Sequence, residues 1–294
     1  RESSTNVELL LNLCMCALFV ALSGCLLSPS PWKLVVCYVV YVLVKTIGGP
    51  FYSFQWDLLL LESGFISIFL SLSNSDGISE RLLMLALQLV WFRLVFGSGW
   101  VKVTSGCPKW NTLTATEYHF FTQPLPRPLA VTMHHLPPWV HRLFAFSTIY
   151  GELILPFAAL LPACRLVCVA AFQLLQLSIS LTGNYGFFNL LAAGLTMTLL
   201  SDDEWHTLTG YELATGHGGS GIAWWWTREV CICAVGAASV ITSTVALFGL
   251  FDRAAPRFPG MDNTSSESEE VKSAQNVHEK VCDVNEGGKD QTIK

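Results

Sequence analysis

LLMLALQLVWFRLVFGSGWVKV, residues 82–103, runs for 22 positions with only two charges, Arg93 and Lys102. A helix climbs about 1.5 Å per residue, and about 20 apolar residues cross the hydrocarbon core of a bilayer. This stretch is long enough to do so, and it is apolar on every face, as a helix surrounded by lipid or protein must be. Apolar runs of the same kind recur at residues 7–27, 34–47, 54–72, 143–161, 166–182, 187–200 and 222–251. Their recurrence predicts an all-α fold, a polytopic transmembrane helical bundle of about 6–8 spans. Residues 34–47 and 187–200 are short for a full crossing and read as re-entrant or interrupted, whereas 222–251 is long enough to tilt.

Composition agrees. The 294 residues are 52% hydrophobic and 13% charged, with a mean hydropathy of +0.47. Soluble domains carry roughly 25% charged residues, so water alone would not solvate this exterior. Membrane lipids are therefore the first expected partner. The net charge of −5 comes with no basic stripe, which argues against nucleic acid.

Of the ten cysteines, eight (Cys14, Cys16, Cys25, Cys37, Cys164, Cys168, Cys231 and Cys233) lie inside apolar runs, where Cys behaves as a small hydrophobe. Cys107 and Cys282 fall in loops. Neither Cys-x-Cys pair has further ligands beside it, so no metal site is expected. The first apolar run lacks a basic flank and is too long for a signal peptide. With Arg1 and not Met at its start, the sequence is expected to be a piece of a longer chain.

The domain division expected is a multi-pass membrane domain over 1–251 and a disordered polar tail over 252–294. That tail is rich in Ser, Glu, Lys and Asn, and it offers too little apolar surface to offset chain entropy. Orientation stays open. Lys102, Lys109, Arg127 and Arg142, with Arg253 and Arg257, would put the long loop and the tail in the cytosol. Asn263-Thr264-Ser265 is a glycosylation sequon that requires a luminal tail.

Residues 103–142, VTSGCPKWNTLTATEYHFFTQPLPRPLAVTMHHLPPWVHR, are too polar and Pro-rich to span and too aromatic for a disordered linker. They are expected to form an ordered cap against the bundle. Trp110, Tyr118, Phe120, Phe121 and Trp139 suit an interface, where an apolar ring with a polar edge is favoured. Gln123, Pro124, Pro126 and their neighbours through Pro128 impose an extended, turn-rich path. His119, His134, His135 and His141 lie in the same stretch without metal-binding spacing, and interfacial hydrogen bonding is the simpler role.

Asp57, Glu62, Arg93 and Glu152 are charges set well inside apolar runs. Each costs about 2.5–3.5 kcal/mol at a helix centre, so each is expected to turn inward. Pairing of Arg93 with Asp57, Glu62 or Glu152 is the plain explanation; a substrate or proton path is the other. Gly97-Ser98-Gly99 permits close helix approach or an unwound helix end. Gly183-Asn184-Tyr185-Gly186 reads as a tight turn in which Asn takes positive φ. No nucleophile elbow, phosphate loop, zinc-protease helix or dinucleotide fingerprint occurs. No catalytic residue or cofactor is expected.

QWDLLLLESGF (55–65), WFRLVFGSGWVKVTSGCPKWNTLTATEYHFFTQPLPRPLA (91–130), HHLPPWVHRLFAFSTIYGELILPF (134–157) and LTGNYGFFNLLA (181–192) together resemble the lipase maturation factors, in order and spacing. Residues 105–110 and 183–190 are most like the lipase maturation factor 2 branch. The resemblance implies a non-enzymatic multi-pass factor of the endoplasmic reticulum membrane that helps secreted lipases fold and assemble, with 91–157 contacting the client. It also implies a large soluble C-terminal region, in place of which stands only the polar tail. Two other functions compete. Gly99–Lys102 and Lys109–Trp110 faintly resemble vitamin K-dependent γ-carboxylases, which would make Lys102 a base. The buried charges alone would suit a transporter, although no inverted repeat of broken helices is visible. The client and the oligomeric state are not readable from the sequence.

Overall fold

Proline opens five of the helices, because its fixed φ suits a first helical turn and its missing N–H is not needed there. The computed structural model describes residues 2–27, 30–52, 54–73, 77–123, 125–209 and 222–254. The long helices are α1 (Glu2–Leu27), α2 (Pro31–Gly48), α3 (Gln55–Leu70) and α4 (Ile78–Thr104). Three short helices follow, α5 (Pro108–Asn111), α6 (Ala115–Thr122) and α7 (Pro128–His134). Then come α8 (Pro138–Ala158), α9 (Pro162–Thr182), α10 (Phe188–Met197), α11 (Asp202–Thr209) and α12 (Ile222–Ala254). Each of the eight apolar runs is thus helical. Among the described residues the only extended pairing is one antiparallel bridge, Pro126 to Gly183.

Helices α2, α4 and α9 are long and apolar enough to cross a membrane, and shorter apolar stretches occupy Glu8–Gly24, Phe188–Met197 and Val230–Ala246. At 10 residues, α10 reaches only about 15 Å and does not cross alone. The tail beyond Ala254, with Asn263, lies outside the described residues, as does Pro124.

Helix α4 is the hub, packed on α3, α8, α10 and α12. Its Leu83, Ala86, Leu87, Val90 and Trp91 are buried with Ile66, Cys168, Phe172, Leu195 and Ile232 in one apolar cluster. Trp91 is held in orientation by an indole N–H donating 3.0 Å to the Thr196 hydroxyl and by an edge-on contact with Phe172 at 5.1 Å. Outward, the long helices present Phe19, Trp32, Leu58, Leu85, Ile154, Val167 and Ile241, and the short α10 presents Leu190, all exposed. That surface is stable where hydrocarbon is the solvent. At the mouth of α11, Glu204 accepts from the Ser201 N–H at 2.8 Å, the return half of a capping box.

Gly99 decides how near α8 comes. A Cβ there would meet Glu152 Cβ at 2.9 Å and Leu153 Cγ at 3.1 Å, so the glycine pattern in α4 serves close approach. The helix runs on without unwinding to Thr104. Gly99→Val is expected to destabilise the bundle by about 1–3 kcal/mol through overpacking. Gly194→Ala, with open space around it, should change little. Thermal unfolding of both variants in detergent checks this.

Candidate functional site

The cap begins later and ends earlier than expected, because 103–104 complete α4 and 138–142 open α8. Between them it is mostly helical. Pro108 and Pro128 start helices, and the extended path expected over 123–128 is seen at Gln123 and Arg127, whose backbone is extended between α6 and α7. Helix α6 packs on α7 and α8, α7 on α9, and α5 on α4. The turn into α6 holds Leu113 at φ 59°, a left-handed conformation that is uncommon for a leucine.

One side chain ties the cap to the α9–α10 turn. The Gln123 amide donates to the Thr182 carbonyl at 2.9 Å and to the Phe120 carbonyl at 3.3 Å, while its oxygen accepts from the Tyr185 hydroxyl at 3.2 Å. Backbone bonds from Arg127 N–H to the Thr182 carbonyl (3.0 Å) and from Asn184 N–H to the Leu125 carbonyl (3.2 Å) complete the strap. A Cβ on Gly183 would overlap the Gln123 oxygen and the Tyr185 ring, so a larger residue there would displace the side chains that form the strap. In the same turn the positive φ belongs to Gly186. Asn184 instead accepts the Gly186 N–H at 3.2 Å, bracing the turn with its side chain where it was expected to supply the unusual backbone.

The charges inside the helices each find a separate partner. Arg93 pairs with Glu62, not with Asp57 or Glu152. Asp57 accepts from the Tyr41 hydroxyl at 2.5 Å and from the Phe54 N–H at 3.0 Å, joining α2 to α3 while capping α3. Glu152 takes the Lys102 ammonium at 2.5 Å, joining α8 to α4. Lys102 also lies 5.4 Å from the centre of the Trp110 ring, a cation–π contact that brings α5 down onto the pair. Trp110 therefore anchors on a lysine of the bundle. The Lys109 ammonium donates to the Tyr118 hydroxyl at 2.9 Å.

The Nδ1 atoms of His134 and His141 are buried without a partner among the described residues. His134 instead meets Phe121 at 4.8 Å and His135 at 5.4 Å, and His141 meets Phe120 at 5.8 Å. The polar contact at this helix start is backbone-directed, with the Thr116 hydroxyl donating to the His141 carbonyl at 2.7 Å. Among the described residues no three His, Cys, Asp or Glu side chains converge on a metal position. Phe121, Leu129, Val131 and Trp139 are exposed.

A helical membrane bundle with a pinned, aromatic cap is the class these features define. The chain matches the family model of the lipase maturation factor transmembrane domain over residues 2–207. It belongs to the lipase maturation factor family. Lipase maturation factor 2 of Rattus norvegicus is 40% identical over 200 residues, 62% of this chain and 28% of that protein. The Homo sapiens protein of the same name is 39% identical over 203 residues, 63% and 29% respectively. Lipase maturation factor 1 of Homo sapiens is 31% identical over 212 residues, 68% of this chain and 36% of that protein. The chain therefore spans roughly a third or less of these relatives' length. No solved structure matches.

His119 supplies a pH test of the cap. Burial, then the nearby Lys102 charge, holds its pKa below the usual value of 6.5. The unfolded segment binds the proton more readily, so α6 loses stability as pH falls from about 6.5 towards the lower folded value, and gains nothing above it. Amide exchange in 115–122, corrected for its intrinsic rate, is expected to accelerate in that window in the native chain but not in His119→Gln. Equal pH dependence in both would contradict it.

Proposed function

We propose that this chain is the membrane part of an endoplasmic reticulum factor that helps secreted lipases fold and assemble, and that the cap meets the client. Family membership supports the lipase role. The observation that carries the contact is that apolar side chains are exposed on an ordered scaffold. Val131 is 60% exposed and Trp139 67%, while the strap through Gln123 and Gly183 holds the segment behind them in one position. A rigid apolar patch covers exposed surface on an incompletely folded partner with little entropy loss of its own. The role is non-enzymatic and requires the cap to be luminal.

The engaged state of Lys102 supports that reading over a carboxylase-like base. Its side chain is occupied by the Glu152 carboxylate and the Trp110 ring, contacts that join helices. Phe121→Ser combined with Val131→Ser changes only exposed positions. In cells making a secreted lipase, this double variant is expected to release roughly tenfold less active enzyme at unchanged expression. Lys102→Arg, which keeps the pair with Glu152, should leave release intact. Unchanged release in the first variant would contradict client contact by the cap, and its abolition in the second would favour chemistry at Lys102.

A further inference from the structure

A second feature lies within the bundle, away from the cap. Helix α12 packs chiefly on α4 and touches α3 less, which leaves a cleft between α3 and α12. A cavity of about 330 Å³ there is lined by Glu62, Phe65 and Ile66 of α3 and by Val235, Ser239 and Thr242 of α12. On the other side of Glu62 a second cavity, about 160 Å³, is bordered by Gln55, Leu58, Val90 and Arg93. Glu62 borders both. It stands near the middle of α3, and Arg93 near the middle of α4.

The ion pair between these two side chains is not sealed. Their side chains keep 32% and 21% of their accessible surface. One Glu62 oxygen is occupied by Arg93, while among the described residues the other has only the Ser243 hydroxyl at 3.5 Å. A guanidinium carries five N–H donors, and one Arg93 nitrogen serves Glu62. At hydrocarbon depth such incompletely satisfied groups are expensive, and the cleft offers room for a ligand to complete them.

We propose that this cleft binds a neutral acylglycerol. A free glycerol hydroxyl donates to Glu62, an ester carbonyl accepts from Arg93 within the smaller cavity, and one acyl chain fills the larger cavity between Phe65 and Val235. The pair is already neutral, so a ligand with an ionised headgroup would bring an uncompensated charge into low dielectric. The carboxylate calls for a donor and the guanidinium for an acceptor, and an acylglycerol presents both a few bonds apart. At 330 Å³ the larger cavity stands at the lower end of ligand pockets, which suits a single flexible chain better than a rigid four-ring sterol.

The chain, reconstituted in phosphatidylcholine nanodiscs with a diacylglycerol bearing a photoreactive group in one acyl chain, tests this. Irradiation is expected to label 62–66 and 235–242. Unlabelled diacylglycerol should displace the probe at roughly tenfold lower concentration than phosphatidylglycerol or cholesterol. Ala238→Trp, which fills the larger cavity, should lower labelling roughly tenfold without shifting thermal unfolding. Thr242→Leu, at an exposed position of the same wall, should lower it too, and decides the matter if the tryptophan variant does not fold. Four results would overturn the proposal: labelling spread evenly over the helices, displacement as readily by phosphatidylglycerol, displacement as readily by cholesterol, or labelling unchanged in the filled variants.

Discussion

Glu152 and Lys102 meet where α4, α8 and the cap converge, and much of the molecule's arrangement depends on that contact. The carboxylate is on α8, the ammonium near the end of α4, and the indole of Trp110 covers the ammonium from the cap side. Gly99 provides the space, because α8 lies against α4 one turn before Lys102. Pro156, four residues beyond Glu152 and inside α8, has no N–H for the Glu152 carbonyl and so loosens the helix at that level. Removing one member of such a buried pair leaves the other uncompensated, at about 3–5 kcal/mol. The same logic recurs along the chain. Tyr41 and Asp57 join α2 to α3, Arg93 and Glu62 join α3 to α4, and Lys102 and Glu152 join α4 to α8. Lipid supplies no hydrophobic drive between helices, so these polar contacts add specificity to a bundle whose packing would otherwise allow several arrangements.

The helices themselves were legible in the sequence, because an apolar run of sufficient length admits few other structures at membrane depth. That Asp57, Glu62, Arg93 and Glu152 turn toward protein was also legible from their energetic penalty. Of their partners, only Glu62 for Arg93 was among the pairings the sequence offered; Tyr41 for Asp57 and Lys102 for Glu152 were not. Tyr41 lies 16 positions from Asp57, Arg93 31 from Glu62, and Lys102 50 from Glu152. Such separations are resolved only by the packing of whole helices. Lys102 was read with the charges of the long loop and as a candidate base, and Tyr41 fell in an apolar run.

The cap was legible as an ordered segment but not as a helical one. Its helices are too short to display a period of 3.6, and prolines that normally argue against helix here stand at first turns. The role of Gln123 was visible only as a polar residue in a Pro-rich stretch, since its partners Thr182 and Tyr185 lie some sixty positions away. A Gly-rich turn at 183–186 was the one available hint that something approaches the backbone closely.

Cap and cleft are two ways of using groups that hydrocarbon does not solvate, the first by pinning a polar, aromatic segment to the bundle and the second by leaving an ion pair partly open. Both rest on inward-turned charges that are coupled to each other and do not merely lie close together. A double-mutant cycle on Lys102→Met and Glu152→Leu, measured by reversible unfolding in a bilayer mimic, tests this most directly. Each single change should destabilise by about 3 kcal/mol, and the double change should recover at least about 2 kcal/mol of the summed loss. Additive effects, within about 0.5 kcal/mol, would contradict the account.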